Sequence, residues 1–130
     1  MKKEERINGI IKRFTTDDID FFDKNDLMYL YNSNLIKEIR YVSNLVYSEK
    51  RMDFINDEFR NGMNKEWGCN QFTKFVLLLK SSSSFPILCA EVAELNTLCF
   101  LLPKNCQIIW GIGTDESLHK ELSIDIIASR

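Results

Sequence analysis

Residues 107–129 read QIIWGIGTDESLHKELSIDIIAS. Two apolar runs, Cys106–Gly111 and Leu122–Ala128, flank a polar stretch, Gly113 to Lys120. In the second run Leu122, Ile124 and Ile126 alternate with Ser123 and Asp125, the period-two pattern of a strand with two different faces. The segment therefore predicts two neighbouring strands joined by a solvated loop. Working back from it, Pro103 ends a helix whose apolar stripe is Leu88, Val92, Leu95, Cys99 and Leu102, with Glu91, Glu94 and Asn96 off the stripe. Pro86 suits the first turn of that helix, and the four serines 81–84 before it supply a turn and a cap. Phe72–Leu79 is almost continuously apolar, the mark of a strand covered on both faces. Strand, helix and strand from Phe72 to Trp110 then form a right-handed parallel crossover.

Further upstream, Ile36–Ser43 alternates and predicts a strand. Ser48 caps a helix with the face Met52, Ile55, Phe59 and Met63. Residues 62–71 read as a polar linker. Lys3–Phe14 carries Ile7, Ile10, Ile11 and Phe14 at helical spacing, and Ile19–Asn34 reads as a second helical stretch, with a break near Lys24-Asn25, after a stop at Thr15-Thr16-Asp17-Asp18. The fold class is α/β, an α+β sandwich. About four strands form a mixed sheet with two main helices packed on it and N-terminal helices ahead. An N-terminal helical segment, 1–35, precedes an α/β domain, 36–130, in one compact unit.

With 130 residues, 45% of them hydrophobic, the chain can bury a core without staples. A net charge of −2 with interspersed signs argues against nucleic acid or an anionic membrane as partner. No signal-peptide core or membrane-length apolar run is present, so a cytoplasmic protein is expected. Four cysteines without C-x-x-C spacing and one histidine predict no metal site; Cys89, Cys99 and Cys106 read as small buried hydrophobes. His119 reads as a surface residue with no catalytic companions. Trp110 is expected in the core, and Trp67, in its polar linker, as an interface anchor. Arg40, Arg51 and Arg60 read as solvated.

The string at 107–129 resembles the closing hairpin of the FtsZ and tubulin-like cytoskeletal GTPases. The likeness extends upstream in order. Lys74–Leu79, Leu88–Leu102, Gln107–Gly111 and Leu122–Ala128 look like the last strand, helix, strand and strand of that family's C-terminal domain. Glu38–Asn44 and Glu49–Phe59 look like the strand and helix before them. Ile19-Asp20-Phe21-Phe22-Asp23 resembles the family's synergy-loop motif, VDFAD, and Asn8-Gly9-Ile10 the end of its central helix. The family's glycine-rich GGGTGTG phosphate loop has no counterpart here.

The resemblance implies a stand-alone relative of the C-terminal domain, with no nucleotide site, cofactor or catalytic residue of its own. It places Asp20, Phe21 and Asp23 at an interaction surface, with Phe22 and Trp67 as further interface candidates. It implies a non-catalytic module, of bacterial cell-division type, that caps or modulates a filament. Its partners would be a full-length FtsZ-like GTPase or a second copy of itself. Local chemistry offers another use for Asp17, Asp18 and Asp20, favouring a helix N-terminus. Two other functions stay open: a small chorismate-mutase-like enzyme at an oligomer interface, using the three arginines on an anionic metabolite, and a structural homo-oligomer. In the last, the apolar residues Ile7, Ile10, Ile11, Phe14, Phe21 and Phe22 need cover, from self-association or from the N-terminal helices.

Overall fold

Phe75, Leu77 and Leu79 of one strand point into one core while Val76 and Leu78 point into another, and all five are fully buried. This continuous apolar run is the centre of the fold, as its lack of alternation requires. The computed structural model describes residues 2–15, 19–48, 50–63, 65 and 67–130. In chain order the elements are α1 (Lys3–Phe14), β1 (Ile19–Asp20), a 3-10 helix (Lys24–Asn32), β2 (Ile36–Val42) and α2 (Lys50–Gly62). A short 3-10 turn (Cys69–Gln71), β3 (Lys74–Ser81), α3 (Cys89–Leu101), β4 (Gln107–Thr114) and β5 (Leu122–Ser129) follow. The sheet order is β1-β4-β3-β5-β2, with β3 and β4 parallel and the other neighbours antiparallel.

The sheet has five strands, one more than expected. The extra one is β1, two residues that the apolar content of Ile19–Asn34 disguised as helix. That stretch splits because Asp23 begins a capping box: its carboxylate accepts from the Asn25 N–H, and Asp26 accepts from the Asp23 N–H, both at 2.8 Å. The caps expected from Thr16, Asp17 and Asp18 lie outside the described residues, as does Glu49. Ser48 caps α2 as expected, accepting from the Lys50 N–H.

One sheet face carries α2 and α3 over Leu77, Leu79, Ile124 and Ile126. The other carries α1 and the 3-10 helix over Ile36, Val76, Leu78 and Ile127. Ile7, Ile10, Ile11 and Phe14 are all buried there, so α1 itself covers this apolar face. Glu4 and Glu5 in its first turn and Lys12 and Arg13 in its last suit the helix dipole.

In α3 the buried residues are Glu91, Leu95 and Leu98; Val92 and Cys99 of the expected stripe are only half-buried. The arc is rotated because Glu91 turns inward to Arg51, and periodicity cannot announce a buried glutamate. Arg51 is likewise fully buried, against the expectation of a solvated arginine. The serines after β3 do not cap α3, whose first turn is closed by the Glu91 carboxylate accepting from the Leu88 N–H at 2.8 Å. They clasp the β4–β5 loop instead. Ser82 donates to the His119 carbonyl, and the Ser83 N–H and hydroxyl both donate to Glu116. In the same loop the Ser117 hydroxyl holds the Asp115 carboxyl below its usual range, aided by Arg40 and Lys80.

The cysteines differ from one another. Cys69 is buried, Cys99 and Cys106 are half-buried, and Cys89, expected inside, is exposed at the start of α3. Burial, with Cys106 nearby, pushes the Cys69 thiol up to about 11, and burial raises Cys99 and Cys106 as well. Thiolates are the reactive species. A thiol-specific disulfide reagent at neutral pH is therefore expected to label one equivalent rapidly, at Cys89, with the other three slow until the chain unfolds. Fast release of two or more equivalents from the folded chain would contradict this ordering.

Candidate functional site

The residues of the VDFAD-like motif come together at one edge of the sheet, and each meets a different fate. Ile19 pairs with Gly113 and Asp20 with Ile112, which pins the motif's start to β4. Asp23 is held at the other end by its capping box. Between the two anchors, Phe21 adopts φ 83°. A bulky side chain in the left-handed region costs on the order of 1–3 kcal/mol, and such strain persists only where neighbours over-determine it.

The twist sends the two phenylalanines to opposite faces. Phe22 is buried over Gly111, where an added Cβ would sit 2.8 Å from its ring and 2.6 Å from the Asp20 carbonyl. Its expected place at an interface is thus corrected: it packs into the core shared with α1. Phe21 stays 69% exposed, its ring centroid 5.0 Å from that of Trp110. Asp20 is exposed, and no described residue bonds to its carboxylate, whereas that of Asp23 is engaged in capping.

The tryptophans exchange their expected roles. Trp67 is buried among Phe59, Phe72 and Phe75, its indole N–H donating to the Tyr41 hydroxyl at 3.1 Å. It is a core residue, because the 3-10 turn at Cys69–Gln71 folds the linker back under the sheet. Trp110 is 38% exposed; among the described residues no strand lies beyond β4 at its position, and β1 reaches only Ile112 and Gly113. With Cys89, Val92, Ala93, Asn96 and Cys99 of α3 it lines a groove of about 380 Å³. Phe100, on the same helical stripe as Ala93 and Asn96, is almost fully exposed. The site is an aromatic, largely apolar edge with a carboxylate, Asp20, that no described residue engages.

The other candidates lie elsewhere. His119 is exposed in the β4–β5 loop. Arg40 pairs with Asp125 and Asp115, Arg51 with Glu91, and Arg60 with Asp57, so the three arginines share no partner. Among the described residues no helix is long and apolar enough to cross a membrane.

No protein-family model matches the sequence, and neither does any curated protein. Solved structures do match. An empty FtsZ dimer from M. jannaschii superposes with a TM-score of 0.69 at 19% identity, over 95% of this chain and 35% of that one. A mutant form of the same FtsZ gives 0.66 at 19% identity, over 98% and 38%. TubZ from Bacillus thuringiensis serovar israelensis, in GDP-form protofilaments, gives 0.51 at 12% identity, over 88% and 30%. The chain spans about a third of the length of these proteins. At such identities the likeness is one of architecture: the chain has the fold of the C-terminal domain of FtsZ and tubulin-like proteins.

Proposed function

We propose that this chain is a non-catalytic interaction module that docks through its Asp20–Phe21–Trp110 edge on an FtsZ-like subunit and caps or modulates its filament. The observation that carries the reading is Phe21, strained, exposed and in ring contact with an exposed tryptophan. The chain spends conformational energy to keep this ring out of its own core, and a partner surface would recover it. Exposed aromatic anchors beside an apolar groove are the usual centres of binding energy. The Asp20 carboxylate suits a polar contact better than paired acid–base chemistry. The matched structures include a dimer and protofilaments, which favours a partner of the same fold class or a second copy.

Sedimentation of an FtsZ-like protein with and without this chain tests the proposal. The native chain is expected to reduce pelleted polymer or shorten filaments at equimolar amounts. Phe21→Asp, which also relieves backbone strain, should bind about thirtyfold more weakly, the effect of losing one aromatic anchor. Polymer unchanged by the native chain would remove the reading.

A further inference from the structure

The opposite edge of the sheet carries a different message. β2 is the outermost strand there, seven residues long, and among the described residues no strand pairs with its outer side. Leu35 exchanges backbone bonds with Arg130, and the Ser43 N–H donates to the Leu122 carbonyl. Backbone groups alternate in direction along an antiparallel strand. The odd-numbered residues of β2 therefore turn theirs toward β5, and Ile36, Glu38, Arg40 and Val42 turn theirs outward. The Ile36 carbonyl accepts from Arg6 at 3.0 Å, consistent with that direction.

Long free edges are templates for another strand. We infer that β2 pairs with β2 of a second copy, antiparallel and centred on Ile39, in a weak two-fold dimer with a continuous sheet. The charge pattern carries the inference. In this register Glu38 of each copy lies directly opposite Arg40 of the other, twice, on one face; Lys37 lies opposite Tyr41 on the other face. Directly opposed residues share a face, so a two-fold pairing must place a residue opposite itself. Moving the centre to Glu38 sets two carboxylates against each other, and moving it to Arg40 sets two guanidinium groups together. Both are penalised. The charges that would deter random edge pairing thus select one self-complementary register.

They are also already organised. Glu38 is held by Arg13, and Arg40 by Asp125 and Asp115. The new pairs would join these into one row of alternating charge across both copies. The dimer uses the edge opposite Phe21, so it leaves the docking edge of each copy free and does not depend on that proposal.

Sedimentation equilibrium of the native chain, over concentrations on the order of ten micromolar to one millimolar, is the first test. A small edge interface belongs to the weak, transient class, so mass should rise from monomer to dimer within that range. Glu38→Arg and Arg40→Glu, each checked for folding by circular dichroism, should each weaken self-association by about tenfold or more. Mixed together, the two variants restore opposite charges at both positions and should form a heterodimer, which damage to the fold would not produce. The doubly exchanged variant, E38R with R40E, restores opposite charges across the pairing and should self-associate more tightly than either single variant. A native chain that stays monomeric throughout, or a dimer indifferent to these changes, would overturn the inference.

Discussion

Glu91→Ala is expected to lower the unfolding free energy by about 4 kcal/mol, a large fraction of what a domain of this size possesses. Arg51 and Glu91 are both fully buried and meet through two bonds, Nε to Oε2 at 2.7 Å and Nη2 to Oε1 at 2.6 Å. The guanidinium also donates to the carbonyls of Phe85, Pro86 and Lys120 and lies over the Tyr47 ring. One side chain of α2 thereby ties down the segment before α3 and the end of the β4–β5 loop. Removing the carboxylate leaves a full positive charge in the core with only carbonyl dipoles and the Tyr47 ring facing it, and no counter-ion. It also uncaps α3, because Glu91 accepts from Leu88.

Arg51→Ala should cost a similar amount by stranding the carboxylate. The informative control is the double variant Arg51→Met with Glu91→Leu. Replacing both charges by apolar groups avoids the stranded ion, so its cost should fall well short of the two single losses added together. Urea midpoints by circular dichroism give the comparison. A single-variant loss below about 1 kcal/mol would mean that water reaches the pair.

Gly111→Ala is the second large effect, and Gly9→Ala is its control. A methyl at Gly111 would meet the Asp20 carbonyl at 2.6 Å and the Phe22 ring at 2.8 Å, both below any normal carbon contact. Backbone cannot swing aside as a side-chain tip can, so β1 must leave β4 or the strand must shift. Overpacking of this kind costs about 1–3 kcal/mol. The local consequence is larger than the global one. Phe21 stands over Trp110 only because β1 is paired and Phe22 is seated, so the docking edge should come apart while the rest of the sheet persists. Loss of amide protection at Asp20 and Ile112, measured by hydrogen exchange, would report it. At Gly9 the nearest neighbour of an added Cβ is the end of Arg13 at 3.5 Å, and alanine there should stabilise α1 by about 0.5–1 kcal/mol. If both variants behave alike, the close packing at Gly111 is not what holds the edge.

Much of the fold was legible in the sequence. The continuous run of β3, the alternation in β5 and the apolar spacing of α1 and α2 each follow from which faces a strand or helix must hide. The resemblance at residues 107–129 pointed to the right architecture. The misses share a cause. β1 is two residues long and is made a strand by its neighbour, since nothing in Ile19-Asp20 outweighs the apolar residues after it. Trp67 sits in a polar linker by sequence and in the core by virtue of how the linker folds back. Glu91 looked like a solvated residue because burial of a carboxylate is decided by its partner, forty residues away in α2.

At the candidate site the motif located the segment without assigning its parts. Asp20, Phe21, Phe22 and Asp23 are adjacent in the chain, yet one is exposed with no described residue bonding its carboxylate, one is exposed against a tryptophan ring, one is in the core and one caps a helix. Local spacing cannot separate these outcomes, because the turn at Phe21 is set by pairing with β4 and by the room above Gly111.

By itself, the order of amino acids determined the main helices and four of the five strands and which strand is central, and it carried the resemblance to the C-terminal part of FtsZ. The helices and strands follow from periodicity and turn chemistry, which act over a few residues; the likeness to FtsZ rests on the resemblance at residues 107–129. Only the tertiary structure decided which tryptophan faces out, which arginine is buried, and which of the two sheet edges carries aromatics and which carries opposed charges. Those properties depend on what lies across from a residue in space, and contacts between distant segments leave no period in the sequence to read.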